Sequence, residues 1–364
     1  GGVVGMAVAD RHQAWIVDDA DFPAAGDTAD LLRFALRYAV LAPSSHNSQP
    51  WLFRVDGKVV EVYADRSRRL PVVDPDDREL VMSCGAALYN LRLALSHIGE
   101  GVDVSILPNG VDGDLLARAE LSGRPVPPNA HTEDLFTAIT NRHTCRRAFD
   151  QTPVEQKIVQ DLRNAAFAEG AWLFDVPDEQ RNKVTWLVTD ADFIQMSEPA
   201  FRRELAHWMR TSYPVRDDGM PGFALGLSEL QSVVGPLMVR TFDIGTSQAA
   251  KDEELSQWSA LLAVIVTSSD DTRSWIAAGQ ALQHVLLTAT AAGLQASFLN
   301  QPIEISSMRV QLVRELGLPG RPQVLLRFGY GPHAAPTPRR EVGDVLVAEP
   351  PTLTLTDSAT RHGG

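Results

Sequence analysis

Residues Ala42 to Trp51 read APSSHNSQPW, a run that sets three serines and two amides between Pro43 and Pro50. Ser44, Ser45, Asn47 and Gln49 offer neutral donors and acceptors, which suit the edge of a flat heterocycle carrying carbonyls and ring nitrogens better than a proton-transfer centre. The same side chains could equally satisfy their own backbone as a capped turn. A second stretch, Asn141 to Phe149 (NRHTCRRAF), gathers Arg142, Arg146 and Arg147 with the Thr144 hydroxyl. Guanidinium groups so placed either grip a phosphate through charge-assisted bidentate bonds or form a solvated basic face. The 364-residue chain holds 33 basic and 46 acidic side chains, a net charge of −13. That balance argues against nucleic-acid or anionic-membrane partners and makes the arginine cluster a local exception.

The elements around these stretches are legible from periodicity. Leu31, Phe34, Ala35, Tyr38, Ala39 and Ala42 fall at helical spacing. Asp27 stands as N-cap, and Pro43 should stop the helix at Ala42. Lys58 to Ala64 and Val102 to Leu107 alternate as strands. A helix is expected to open at Gly85, with Leu88, Leu91, Leu95 and Ile98 on one face, and to end near Gly99. The Pro-rich segment Ser122 to His131 marks a domain boundary.

Across that boundary the chain repeats itself. Gly85, Leu88, Leu91, Leu95, Ile98 and Gly99 match Gly279, Leu282, Val285, Ala289, Ala292 and Gly293, each 194 residues apart. Trp51-Leu52-Phe53 recurs as Trp172-Leu173-Phe174. Two similar units follow, residues 1–125 and 126–345, with an extended tail over 346–364. They differ where the chemistry lies: the second lacks the serine-rich loop and the first lacks the arginines. The second unit also carries a long insertion, with lid-like chain over about 195–250 and a loop centred on Tyr213 to Phe223, whose Gly219 and Gly222 could act as hinges. A strand at Leu261 to Thr267, a helix at Ala278 to Gly293, a strand from Leu294 running to a polar loop at Pro302, a helix at Arg309 to Leu316 and a strand at Gln323 to Phe328 complete it.

Other chemistries find no footing. GxGxxG, P-loop, GxSxG and HExxH patterns are absent, the histidines are scattered without metal-ligand spacing, and Ser44, Ser45 and His46 are too close in sequence to form a triad. Cys84 and Cys145 form no disulfide framework, so a reducing cytoplasm is the expected setting. No apolar run is long enough for a membrane helix, and the N-terminus shows no signal-peptide pattern. Cys145, beside two arginines, is either a reactive thiol or a packed one.

Through Ala42–Trp51, Arg142–Phe149 and the PTPRR run at Pro336–Arg340, the chain resembles the FMN-dependent nitroreductases, and within them the fused, tandem-half group typified by the Acg proteins. The resemblance implies an α+β fold, a mixed sheet with flanking helices, whose two halves form an intramolecular pseudo-dimer with one FMN between them. It implies that Arg142, Thr144, Arg146 and Arg147, helped by Arg339 or Arg340, hold the phosphate, with one arginine more than the usual motif. Ser44, Ser45, Asn47 and Gln49 would meet the pyrimidine end, and Leu299 and Asn300 would run past the reactive flavin nitrogen. The flavin itself would carry the chemistry, with no catalytic side chain and no metal. The implied activity is NAD(P)H-dependent reduction of a nitroaromatic or quinone-type acceptor; the alternative is FMN sequestration or storage under the lid. The implied assembly is a monomer or a weak dimer of pseudo-dimers.

Overall fold

The computed structural model describes residues 10–17, 21–23, 27–111, 113–211, 216–225 and 260–351. Helix α1 (Thr28–Ala39) starts where Asp27 accepts hydrogen bonds from the amides of Ala29 and Asp30. It ends at Ala39, and the chain turns through Val40 to the buried Ala42 before Pro43. A tight hairpin of β1 (Trp51–Asp56) and β2 (Val59–Ala64) follows the serine-rich loop, turning at Gly57 with φ of 58°. Then come α2 (Arg78–His97), β3 (Glu100–Ile106) and β4 (Leu115–Pro125). Strand β4 was not foreseen and extends into the segment read as the boundary. Its buried face includes Ala117 and Ala119, too small to make the alternation with Arg118 and Glu120 conspicuous.

The second unit runs α3 (Ala130–Asn141), α4 (Gln156–Ala168), β5 (Trp172–Asp175), α5 (Asp178–Ser197), α6 (Pro199–Trp208) and the short β6 (Met209–Arg210) and β7 (Met220–Pro221). It continues with β8 (Leu261–Thr267), α7 (Thr272–Ala291), β9 (Gln295–Phe298), α8 (Gln301–Glu304), α9 (Ser306–Leu316), β10 (Arg321–Gly329) and α10 (Val342–Val345). The main sheets are ordered β1-β2-β4-β3 and β5-β8-β10-β9, so the two units thread their strands identically. Each main sheet is antiparallel through its four strands. Each gains a parallel bridge at one edge, Leu346 against Phe53 and Thr144 against Ala296, which supplies the mixed character.

Helices α2 and α7 pack against each other between the sheets, crossing at Gly85 and Gly279. A Cβ on Gly279 would collide with the carbonyl of Met82, and one on Gly85 with the carbonyl of Ile276. The expected helix starts at Gly85 and Ala278 are therefore corrected. Both helices begin earlier, at Arg78 and Thr272, and the repeated glycines sit mid-helix, where two backbones touch. The terminal glycines Gly99 and Gly293 do follow the helices in left-handed conformation, with φ of 85° and 79°. Asn90 and Gln283, both fully buried, join the helices by a 2.7 Å hydrogen bond.

The units interlock. Leu135, Ala138 and Ile139 of α3 fill the core of the first sheet, as does Val345 of the tail. Val347 donates to the Phe53 carbonyl at 2.8 Å, so the chain near 346 adds to β1 instead of hanging free. Within the insertion, Met196, Phe201, Trp208, Met209 and Met220 form a satellite core with Leu70 and Val73. Tyr213, most of the remaining lid chain and residues 352–364 lie outside the described residues.

Candidate functional site

The serine-rich loop is held in a conformation that L-residues resist. His46, Asn47 and Gln49 all have positive φ, of 54°, 53° and 52°. Each such residue costs on the order of 1 kcal/mol, so the surroundings must impose the shape. Asn47 donates from Nδ2 to the carbonyls of Gly219 (2.9 Å) and Pro338 (3.0 Å) and accepts at Oδ1 from Arg339 (2.7 Å). Gln49, fully buried, donates to the Asp217 carbonyl at 2.7 Å and accepts from the Arg340 amide at 2.8 Å. Ser44 Oγ accepts from the Gln49 amide at 2.9 Å, and Ser45 Oγ donates to Glu79 of α2. The amides of Asn47 and Gln49 are thus spent on clamping the loop to the tail and to the segment around 216–219.

The arginines separate into inward and outward groups. Arg142 follows α3, is 4% exposed, and donates to the Leu41 carbonyl at 3.3 Å. Arg339 is 5% exposed and donates also to Thr337 Oγ1 (2.6 Å) and the Pro338 carbonyl (3.0 Å), its guanidinium lying 5.0 Å from the Trp15 ring centroid. The Nε atom of each is enclosed without a hydrogen-bond partner. Burial pushes Arg142 down to about 10. Burial, and then the charge of Arg142, push Arg339 well below the usual arginine range. Among the described residues no carboxylate lies within ion-pair reach of either. A buried cation left without a counter-charge costs several kcal/mol, and among the described residues no carboxylate offsets that cost for this pair.

Arg146 turns toward the loop, where its charge acts on His46, and donates to the Ala224 carbonyl at 3.2 Å. Arg147 points outward and is exposed, binding the His333 carbonyl at 2.6 Å. Thr144 pairs with Ala296 at the edge of β9, and Cys145 is a packed thiol 3.4 Å from the Pro332 carbonyl. Arg340 staples the tail, reaching the carbonyls of Gln49 (3.2 Å) and Asp344 (2.7 Å). Leu299 and Asn300 are placed differently from the other predicted residues. Leu299 sits in the core beside α9, and Asn300 Oδ1 accepts from the Leu325 amide at 3.0 Å, so both side chains serve the second sheet.

Several contributors carried no local signal. Arg327, fully buried, stacks 4.1 Å from the Phe149 ring centroid and donates to the carbonyls of Cys145 and Arg147 at 3.0 Å each, fixing the backbone that aims Arg146. Asp218 of the insertion pairs with Arg68 (3.0 Å), Arg210 (2.8 Å) and Arg216 (3.1 Å). Burial opposes its charge, but the hydrogen bonds from Arg210 and Arg68 hold the carboxyl below its usual range. The next residue, Gly219, exchanges hydrogen bonds with Asn47, donating from its amide to the Asn47 carbonyl at 3.1 Å and accepting from Nδ2. The described part of the insertion therefore lies directly on the loop.

Three stretches far apart in sequence, the loop at 44–49, the arginines at 142–146 and the tail at 337–340, thus converge on one place beneath chain of the insertion. A family model for the Nitroreductase family matches residues 139–330, which include the arginine stretch. "Putative NAD(P)H nitroreductase Rv3131" of Mycobacterium tuberculosis is 33% identical over 90% of this chain and 95% of its own length. "Putative NAD(P)H nitroreductase acg" from the same organism is 28% identical over 88% of this chain and 96% of its own. Among solved structures, the FMN-dependent nitroreductase NfnB from Mycobacterium smegmatis in complex with NADPH aligns with a TM-score of 0.37 at 17% identity, covering 64% of this chain and all of that one. With a relative one-third identical along nearly its whole length and a family model spanning the arginine cluster, the chain belongs to the nitroreductase family.

Proposed function

We propose that this protein is a flavoprotein that binds one FMN per chain and uses it to pass electrons from a nicotinamide to a small aromatic acceptor of nitroaromatic or quinone type. The observation that carries the reading is the pair of buried guanidiniums, Arg142 and Arg339, beside Asn47 and with no carboxylate partner among the described residues. A phosphate monoester is the anion that FMN would bring. Arg142 and Arg339, joined by Arg146 from the same stretch, would hold it, and Ser44 and Ser45 keep hydroxyl lone pairs available to a ring N–H. Bound FMN would supply the hydride chemistry. The chain's part is to bind, orient and enclose.

The duplicated sheets and the glycine crossing of α2 with α7 support an intramolecular pseudo-dimer in which complementary losses leave a single site. Its first half contributes the loop, and the second contributes the arginines and tail. The free, buried Cys84 and Cys145 accord with a reducing, cytoplasmic setting. Extraction and quantification of flavin from purified protein tests the proposal: one FMN per chain is expected, and two per chain or none after incubation with FMN would refute it.

A second reading, flavin storage with slow turnover, is favoured by one feature, the docking of Asp217, Asp218 and Gly219 onto Gln49, Arg68 and Asn47. A nicotinamide must stack on the flavin face, and chain pinned there would slow its entry. Rapid bleaching of the flavin by NADPH in stopped flow would exclude this reading.

A further inference from the structure

His46 is a side chain of the loop that the site as described leaves without a role. Its backbone is left-handed, with φ of 54°, a conformation uncommon for any residue but glycine, though Asn, Asp and His adopt it more readily than most. The loop is constrained from both sides, since Ser45 is tied to Glu79, and Asn47 to Arg339, Gly219 and Pro338. The residue is half-buried, and its Nε2 is enclosed with no hydrogen-bond partner among the described residues. An enclosed polar atom without a partner costs about 1–3 kcal/mol, and a loop that already spends energy on its backbone has no structural gain from adding this cost. The charged groups packed around the loop are Glu79 from α2, Arg146 from the segment after α3, Arg339 and Arg340 from the tail, and Asp218 with Arg68 and Arg210 beside the insertion. Of these, Arg146 is the one whose charge bears on the ring.

We propose that His46 is a ligand-contacting residue of this site: Nε2 meets the anionic group that the arginines attract, and the imidazole takes up a proton as that group binds. The proposal rests on the FMN reading above, with the phosphate as the charge. Burial, and behind it the Arg146 guanidinium, push His46 down to about 4. An anion beside Arg146 cancels the repulsion and gives an imidazolium N–H a charge-assisted acceptor, which raises the proton affinity of the ring. The sign follows from linkage. If the liganded state binds the proton more tightly than the free state, binding consumes protons between the two pKa values and tightens as pH falls through that window.

Isothermal titration of FMN into apoprotein near pH 6, in two buffers of different ionisation enthalpy, reads the protons exchanged per FMN bound. The comparison is with His46→Asn, chosen because asparagine accepts the left-handed backbone and the variant should fold. The difference between the two proteins removes the phosphate's own proton exchange, which both share. We expect the parent to take up about 0.3–1 proton more per FMN than His46→Asn, since a group moved from well below to near the working pH gains up to one proton. Riboflavin, which lacks the phosphate, should show no such difference. Equal proton exchange in parent and variant, or the same difference with riboflavin as with FMN, overturns the assignment while leaving the FMN reading intact. Failure of the parent to bind FMN at all overturns both.

Discussion

Asn47 accepts a 2.7 Å hydrogen bond from Arg339 although 292 residues of chain separate them. The contact ties the serine-rich loop to the C-terminal tail and sets a buried guanidinium beside the loop. Replacing Asn47 by Ala removes this acceptor and two donors and leaves Ala in a left-handed conformation. We expect the apoprotein to lose about 2–4 kcal/mol of unfolding free energy, the sum of a hydrogen bond to a charged group and the backbone strain. Asn141→Ala removes an exposed amide that, among the described residues, bonds only to the Thr137 carbonyl, and should change stability by less than about 0.5 kcal/mol. Urea titration of both variants checks the difference.

The helix crossing gives a test of the interlocked halves. Gly279→Ala places a methyl against the Met82 carbonyl, a backbone atom that can move only if α2 moves. A loss of about 3 kcal/mol or an insoluble product is expected, at the upper end of overpacking costs. Gly57→Ala, in the β1–β2 turn with open space around it and φ of 58°, should cost only about 1 kcal/mol. Similar melting temperatures for the two variants would contradict the crossing.

These contacts show where sequence reasoning reaches and where it stops. The N-cap at Asp27, the glycines ending α2 and α7, and strand β8 at Leu261–Thr267 were legible because each is written in neighbouring residues. The repeat is legible too, but Gly85 and Gly279 mark a helix crossing and not helix starts, since a glycine needed for a crossing looks locally like a helix breaker. In the site, the types of residue were readable and their division of labour was not. Asn47 and Gln49 were expected to face a heterocycle, but partners from residues near 217–219 and 338–340 claim their amides. Which of Arg146 and Arg147 faces inward depends on Arg327 gripping the Cys145 and Arg147 carbonyls from β10, a contact across about half the chain with no local trace.

The insertion's hold on the loop is centred on Asp218, which balances three guanidiniums. Asp218→Asn leaves Arg68, Arg210 and Arg216 with reduced counter-charge and should release the 216–219 segment. We expect bleaching of bound flavin by NADPH to accelerate about tenfold, equivalent to loosening the docked state by about 1.4 kcal/mol, with FMN still bound. Stopped-flow absorbance measures this directly, and an unchanged rate would mean that the docked segment does not gate access.

The proposed anion socket is tested most directly by thermal melting of Arg142→Met, recorded with and without FMN. Removing a buried, unpaired charge and keeping an apolar stem should leave the apoprotein's melting temperature unchanged or higher. The same change deletes a charged contact to phosphate worth about 1.5–3 kcal/mol, so most of the FMN-induced rise seen in the parent should disappear. An FMN-induced rise as large in Arg142→Met as in the parent would contradict the assignment of Arg142 and Arg339 as the seat of the phosphate.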